Sequence, residues 1–187
     1  RKFSLPAREQ TVGFWSDKGG SLGALGRFEE AIACFDRALS IDPQDAMAWS
    51  NKGGCLVELG RCEEALDCFD KAIASDPRHA MAWHNKAGAL VELGRRLEAM
   101  VCFDKALAID PQYVGAWNNK GRALAFFEKH EEAIACFDKA IAIDPDQEKT
   151  VFSISESIIE GSYLSSDTAE FQRSQSIIIG KKLAEKL

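Results

Sequence analysis

No run of this sequence comes near the roughly 18 apolar residues that a helix needs to span a membrane. Its greasiest late cluster is only Ile177 to Ile179. Positive charge is scarce as well. The 23 Lys and Arg stand against 29 Asp and Glu, a net charge of −6, which works against nonspecific attraction to nucleic acid or an anionic membrane. Neither is expected as a partner. Histidine is rare too, and His79, His84 and His130 share no ligand spacing with cysteine or carboxylates. The G-x-S-x-G, H-E-x-x-H and P-loop patterns are all missing. No catalytic constellation, metal site or cofactor is therefore expected, and the chain reads as non-enzymatic. It begins at Arg1 rather than Met, as a piece of a longer protein would, so the missing leader peptide excludes nothing.

What is present is repetition. "EEAIACFDRALSIDP" from Glu29 and "EEAIACFDKAIAIDP" from Glu131 agree at 12 of 15 positions, at an offset of 102. That offset is three times 34, and a period of 34 finds the rest. Trp15, Trp49, Trp83 and Trp117 form one column, and Pro43, Pro77, Pro111 and Pro145 another. Ala31, Ala65, Ala99 and Ala133, then Phe35, Phe69, Phe103 and Phe137, then Ala38, Ala72, Ala106 and Ala140, keep the same register without insertion.

Each unit reads as two helices. In the second, Trp49, Gly53 and Leu56 are spaced four and three apart, so they share one helical face. Gly60 follows, where a helix end favours a left-handed residue. Ala65, Phe69, Ala72 and Ile73 mark the second amphipathic helix. Pro77 then ends it, because proline disfavours helical backbone at Asp76. Gly53 and Ala65 are small enough to let the two helices approach, with Trp49 and Phe69 filling the gaps beside them.

The pattern W-x3-G-x2-L, then G, then A-x3-F-x2-A and a closing P resembles the tetratricopeptide repeat (TPR), a 34-residue helix–turn–helix. The resemblance covers about 136 residues. It implies an all-α, right-handed superhelical solenoid in which the first helix of each pair lines a concave groove. Single units cannot bury their own apolar face, so helices recur because each must fit the same neighbour. The expected organisation is an irregular lead-in over 1–11, four repeats over 12–45, 46–79, 80–113 and 114–147, and a capping helix with a C-terminal helix over 148–187. In that last region Val151, Ile154 and Ile158 predict the capping helix. Asp167 and Glu170 open a final helix with an Ile179, Leu183 and Leu187 stripe. Glu128 stands where the other units have a turn glycine. A left-handed glutamate costs about 1–2 kcal/mol, so a different turn is expected there.

The cysteines follow the same period. Cys34, Cys68, Cys102 and Cys136 occupy one column. Equivalent positions in stacked helices lie on the order of 10 Å apart, beyond the roughly 7 Å that a disulfide spans. They read as packing residues, and Cys55 and Cys62 as a free pair across a turn. Six thiols without a framework point to a reducing, cytoplasmic setting.

In the TPR family the residue two after the Trp, with those one, five and eight after it, faces the groove. The first of these reads Asp17, Asn51, Asn85 and Asn119. Stacked Asn side chains offer a donor and an acceptor at each rung, which suits the backbone of an extended peptide. The position five after reads Gly20, Gly54, Gly88 and Arg122, a bare floor closed by one cation. His84 and Asn118, one after their Trp, are expected to add side-chain selectivity. Lys18, Lys52, Lys86 and Lys120 are expected along the groove rim with their amines in water, giving a mild preference for acidic ligands. Convex-side Glu pairs such as Glu29–Glu30 read as solvated first-turn acids.

The cationic clamp by which some TPR modules hold chaperone tails falls on Ser16, Gly20, Asn51, Met81 and Asn85. Of these only Asn51 fits, so that role is not expected. The chain thus reads as a scaffold binding a protein or peptide segment, extended or helical, in its groove. The alternatives are a substrate-recruiting region of a larger enzyme, or a module that self-associates through the groove or the C-terminal helix.

Overall fold

The computed structural model describes residues 11–145. Among them eight helices follow one another: α1 Val12–Ala24, α2 Phe28–Ile41, α3 Ala46–Glu58, α4 Cys62–Ser75, α5 Ala80–Glu92, α6 Arg96–Ile109, α7 Val114–Phe126 and α8 His130–Ile143. No strand occurs among the described residues. The expected capping and C-terminal helices, and the lead-in up to residue 10, lie outside them.

Proline sets the punctuation. Asp42, Asp76, Asp110 and Asp144, each just before a Pro, end the second helices with extended backbone, φ between −128° and −136°. Proline forces that geometry on its predecessor. Three of these carboxylates then accept a backbone N–H two residues on, from Gln44, Arg78 and Gln112, at 2.9–3.0 Å. This is the Asx turn that aspartate is suited to make. The next Trp locks the turn to the helix it opens. Trp49, Trp83 and Trp117 each donate the indole N–H to the carbonyl of Pro43, Pro77 or Pro111, at 2.9–3.1 Å.

The turn inside each pair is built alike in all four units. Gly26, Gly60 and Gly94 have φ of 73–74°, and Glu128 has φ of 58°. The amide after each one, from Arg27, Arg61, Arg95 and Lys129, bonds back to Leu22, Leu56, Leu90 and Leu124 at 2.8–3.1 Å. The different turn expected at Glu128 is therefore not formed. Docking of α7 on α8 fixes the turn, and the glutamate adopts the left-handed conformation that the turn demands.

Each pair packs tightly at its Phe. Phe35, Phe69 and Phe103 are fully buried, and burying such a ring contributes about 1.5–3 kcal/mol. A methyl group on Gly19, Gly53 or Gly121 would lie 2.6–2.8 Å from the facing Phe ring, so glycine is what lets the ring lie against the first helix. Phe69 fills the space beside Gly53, as expected. Ala87 occupies that place in the third unit and is itself fully buried. The Ala31, Ala65, Ala99 and Ala133 column is buried too.

Successive pairs stack through α2 on α3, α4 on α5 and α6 on α7. The first helices also touch each other, α1 with α3, α3 with α5 and α5 with α7. That brings α1, α3, α5 and α7 together on one side of the stack, the wall on which the groove residues sit.

Candidate functional site

Three positions on each first helix share one face: two before the Trp, two after it and five after it. They are separated by four and three residues, the spacing of helical neighbours. From α1 to α7 they read Gly13, Asp17, Gly20; Met47, Asn51, Gly54; Met81, Asn85, Gly88; and Gly115, Asn119, Arg122.

The structure places Asn51, Asn85 and Asn119 half-buried, in identical register on α3, α5 and α7. Beside them the surface is open. A side chain added at Gly13, Gly20, Gly54 or Gly88 would meet nothing within 4 Å. Met47 and Met81 stand 60% and 49% exposed. A shallow depression at the α1 end is lined by Thr11, Gly13, Phe14, Asp17, Lys18 and Ser21. Arg122, at the other end, is exposed and holds no ion pair among the described residues.

His84 and Asn118 sit one position round the helix; Asn118 is buried off this open face, whereas His84 is half-buried with its ring beside Gly115. Asn118 is buried, and its Oδ1 has no partner. His84 stacks 4.7 Å from Tyr113 and 5.9 Å from Phe103, with Nδ1 buried and unpaired. Desolvation lowers the His84 pKa and raises that of Tyr113, Asp110 adding to the latter. The whole column behaves alike, since Ser16 Oγ and Ser50 Oγ are also buried without a hydrogen bond.

Three of the four lysines differ from expectation, while Lys18, on the first described helix, lies 5.2 Å from the centroid of its own Trp15 ring. Lys52 Nζ lies 2.6 Å from Asp36, Lys120 Nζ lies 2.6 Å from Asp104, and Lys86 pairs with Asp70. Each bridge runs from a first helix to the second helix of the preceding unit. Lys52 and Lys120 also lie over their own Trp rings, 5.5 and 5.7 Å from the centroid. Lys71 and Lys139 approach the same rings at 4.4 and 4.7 Å. These three bridged amines are engaged between units rather than offered to a ligand, so they do not support the expected preference for acidic ligands. An offset of 16 from each Asp to its Lys was the sequence signal for these bridges.

The first-turn acids are likewise engaged. Glu30, Glu64 and Glu98 each take a two-pronged contact from Arg27, Arg61 or Arg95 at 2.6–2.8 Å. All six cysteines are free and buried, and desolvation is the first cause that raises each thiol pKa. Among the described residues no group of His, Cys, Asp and Glu is arranged to hold a metal ion, and no helix is long and apolar enough to cross a membrane.

Comparison with known proteins agrees with this architecture. Solved structures with similar folds include TTC0263, a thermophilic TPR protein of Thermus thermophilus, at TM-score 0.71 and 24% identity, covering 79% of this chain and 83% of that one. MamA residues 41 to the end, from Desulfovibrio magneticus RS-1, align at TM-score 0.65 and 22% identity over 74% and 78% of the two chains. The first TPR of Spaghetti (RPAP3), bound to the HSP90 peptide SRMEEVD, aligns at TM-score 0.61 and 20% identity over 64% and 95%. No curated protein matches the chain. Tetratricopeptide repeat profiles match residues 17–80, 56–114 and 114–147. With those matches running through all four helix pairs, the chain belongs to the tetratricopeptide repeat family.

Proposed function

We propose that this chain is a protein-interaction scaffold that binds an extended peptide segment along the face of α1, α3, α5 and α7. The observation that carries the reading is the pairing of two columns. Asn51, Asn85 and Asn119 repeat at one register, each three residues before a position on the same face. Two of those positions are glycines, Gly54 and Gly88, whose added side chain would meet open space. Asn can donate to a backbone carbonyl and accept from a backbone N–H, and bare glycine lets the ligand backbone come close. Met47 and Met81 add adaptable apolar contacts. With Lys52, Lys86 and Lys120 tied into bridges, the middle of the groove favours an uncharged stretch, and Arg122, which holds no ion pair among the described residues, offers a cation at the α7 end. His84 and Asn118 support this face from beneath. The RPAP3 repeat, solved with a bound peptide, supports peptide binding as a use of such a fold. Six free buried thiols support a reducing, cytoplasmic setting within the same reading.

The test begins by selecting binders from a displayed random-peptide library on the wild-type protein. Asn51, Asn85 and Asn119 are then changed together to Ala. Helicity should persist, and the selected peptides should bind at least about tenfold more weakly, since each lost hydrogen bond contributes about 0.5–1.5 kcal/mol. Undiminished binding, or loss only on changing exposed outer-face residues of the second helices such as Glu29 or Asp67, would place the site elsewhere.

A further inference from the structure

Charge is spread unevenly along the face of α1, α3, α5 and α7. The Asn column departs from its own pattern at the first helix, which carries Asp17, and the glycine column departs at the last, which carries Arg122. A fourth position shares the face, seven residues beyond the Asn column and two turns on. It reads Ala24, Glu58, Glu92 and Phe126. Across these four positions every carboxylate lies on α1, α3 or α5, and the one cation lies on α7.

These charges are open. Asp17, Glu58, Glu92 and Arg122 are exposed, and none of them holds an ion pair among the described residues. Asp17 lines the depression at the α1 end, and a side chain added at Gly13 or Gly20 beside it would meet nothing. Lys18, next in sequence, makes no ion pair with it. The Lys18 amine lies against the Trp15 ring and helps to keep Glu30 of α2 ionised. The lysines after the other three rungs are held by Asp36, Asp70 and Asp104.

We propose, on the reading that this groove takes an extended peptide, that the peptide is polarised. It carries a Lys or Arg over α1, an Asp or Glu over α7, and no acidic residue between them. Charge complementarity argues for that occupant. Asp17 attracts the basic end, and Arg122 attracts the acidic one. Glu58 and Glu92, on the lip of the groove, repel a carboxylate from α3 and α5, and Arg122 repels a basic residue from α7. Each end thus attracts one sign and rejects the other, which admits the segment in a single orientation. Packed helices lie about 8–10 Å apart. Three steps from α1 to α7 therefore span about 24–30 Å, and at about 3.3 Å per extended residue the two ligand charges stand about seven to nine residues apart.

The probe is a displayed library of random peptides long enough to cross the face, selected on the wild-type protein at low salt, where exposed charges act most strongly. Enriched peptides should carry a basic and an acidic residue near opposite ends, in one constant order along the chain. One enriched peptide is then synthesised beside a copy with its two charged residues exchanged, and fluorescence anisotropy gives both affinities. The exchanged copy should bind wild type at least about fivefold more weakly, since two exposed pairs are lost, each a factor of about two to five. Asp17→Lys combined with Arg122→Glu should reverse that preference, with helicity retained because both sites are exposed. Asp17→Asn takes the residue of the three later units, and Arg122→Gly that of the three earlier ones; each should bring the two peptides closer in affinity. Enriched peptides without a constant charge order, or a doubly reversed protein that keeps the wild-type preference, overturn the proposal. If those peptides still need Asn51, Asn85 and Asn119, the groove reading outlives that result. Binding indifferent to the three Asn residues overturns both.

Discussion

Replacing Glu128 with glycine should stabilise the protein, and the size of the gain follows from one dihedral angle. Glu128 has φ of 58°, beside 73–74° for Gly26, Gly60 and Gly94 at the equivalent turns. A left-handed conformation costs a residue with a Cβ about 1–2 kcal/mol. Glycine escapes that cost but loses about 0.5–1 kcal/mol more conformational entropy on folding. The difference is a gain of about 1 kcal/mol, or about 2–4 °C in Tm for a chain of this size. The turn's hydrogen bonds are backbone only, Glu128 N–H to Ala125 at 3.0 Å and Lys129 N–H to Leu124 at 3.1 Å, so the substitution removes none of them. The assay is thermal and urea unfolding followed by far-UV circular dichroism. Repeats couple mainly to their neighbours, so hydrogen exchange of α7 and α8 amides should show where the gain falls. Gly60→Glu is the reciprocal test and should cost a similar amount. An unchanged or lower stability for Glu128→Gly would refute the claim that this turn is strained.

Three further outcomes follow. Thiol titration without reductant should find all six cysteines once the chain is unfolded in urea and markedly slower reaction when folded, because burial raises each thiol pKa; equal rates in the two states would contradict it. Ser50→Ala should raise stability by about 1 kcal/mol, since Ser50 is fully buried with an unpaired Oγ and an unsatisfied buried hydroxyl costs about 1–3 kcal/mol; a loss in urea melts would mean that the hydroxyl has a partner. His84 is held neutral by burial, its folded pKa below the ordinary 6.5, so its contribution is present above the unfolded pKa and lost as pH falls through the folded one. His84→Asn, the residue of the next unit, should flatten that acid-side decline in urea stability, and an unchanged pH profile would sink the reasoning.

The period of 34 made most of the fold legible, because every unit must present the same surface to the next. The Trp, Ala, Phe and Pro columns each mark a place where two helices or a turn must meet. The turn at Glu128 departs from expectation for the converse reason. Intrinsic preference argues against a left-handed glutamate, but α7 and α8 pack as the other pairs do and leave the connection no other course. The Asn51, Asn85 and Asn119 register was equally legible, because a face is fixed by spacing alone. The burial of Asn118 and the half-burial of His84 were not; for His84 it depends on the Tyr113 and Phe103 rings, which lie outside its own helix. Met47 and Met81 carried a signal, four residues before an Asn, that matters only once the face is known to be open.

The lysine bridges bear on the groove indirectly. Each joins a Lys that is about 20% exposed to an Asp that is 54–59% exposed, and pairs this close to water contribute little to stability, on the order of 0–1 kcal/mol. Their consequence is geometric. A solenoid's curvature is the sum of small rotations from unit to unit, and the same bridge at Asp36–Lys52, Asp70–Lys86 and Asp104–Lys120 ties each first helix to the preceding second helix in the same way. Lys52, Lys86 and Lys120 each directly follow one of the three Asn residues. The same contact thus recurs beside each Asn rung, and on the proposed reading a recurring setting suits the repeating backbone of an extended peptide. On the proposed reading, the bridges therefore act on ligand register rather than on folding energy.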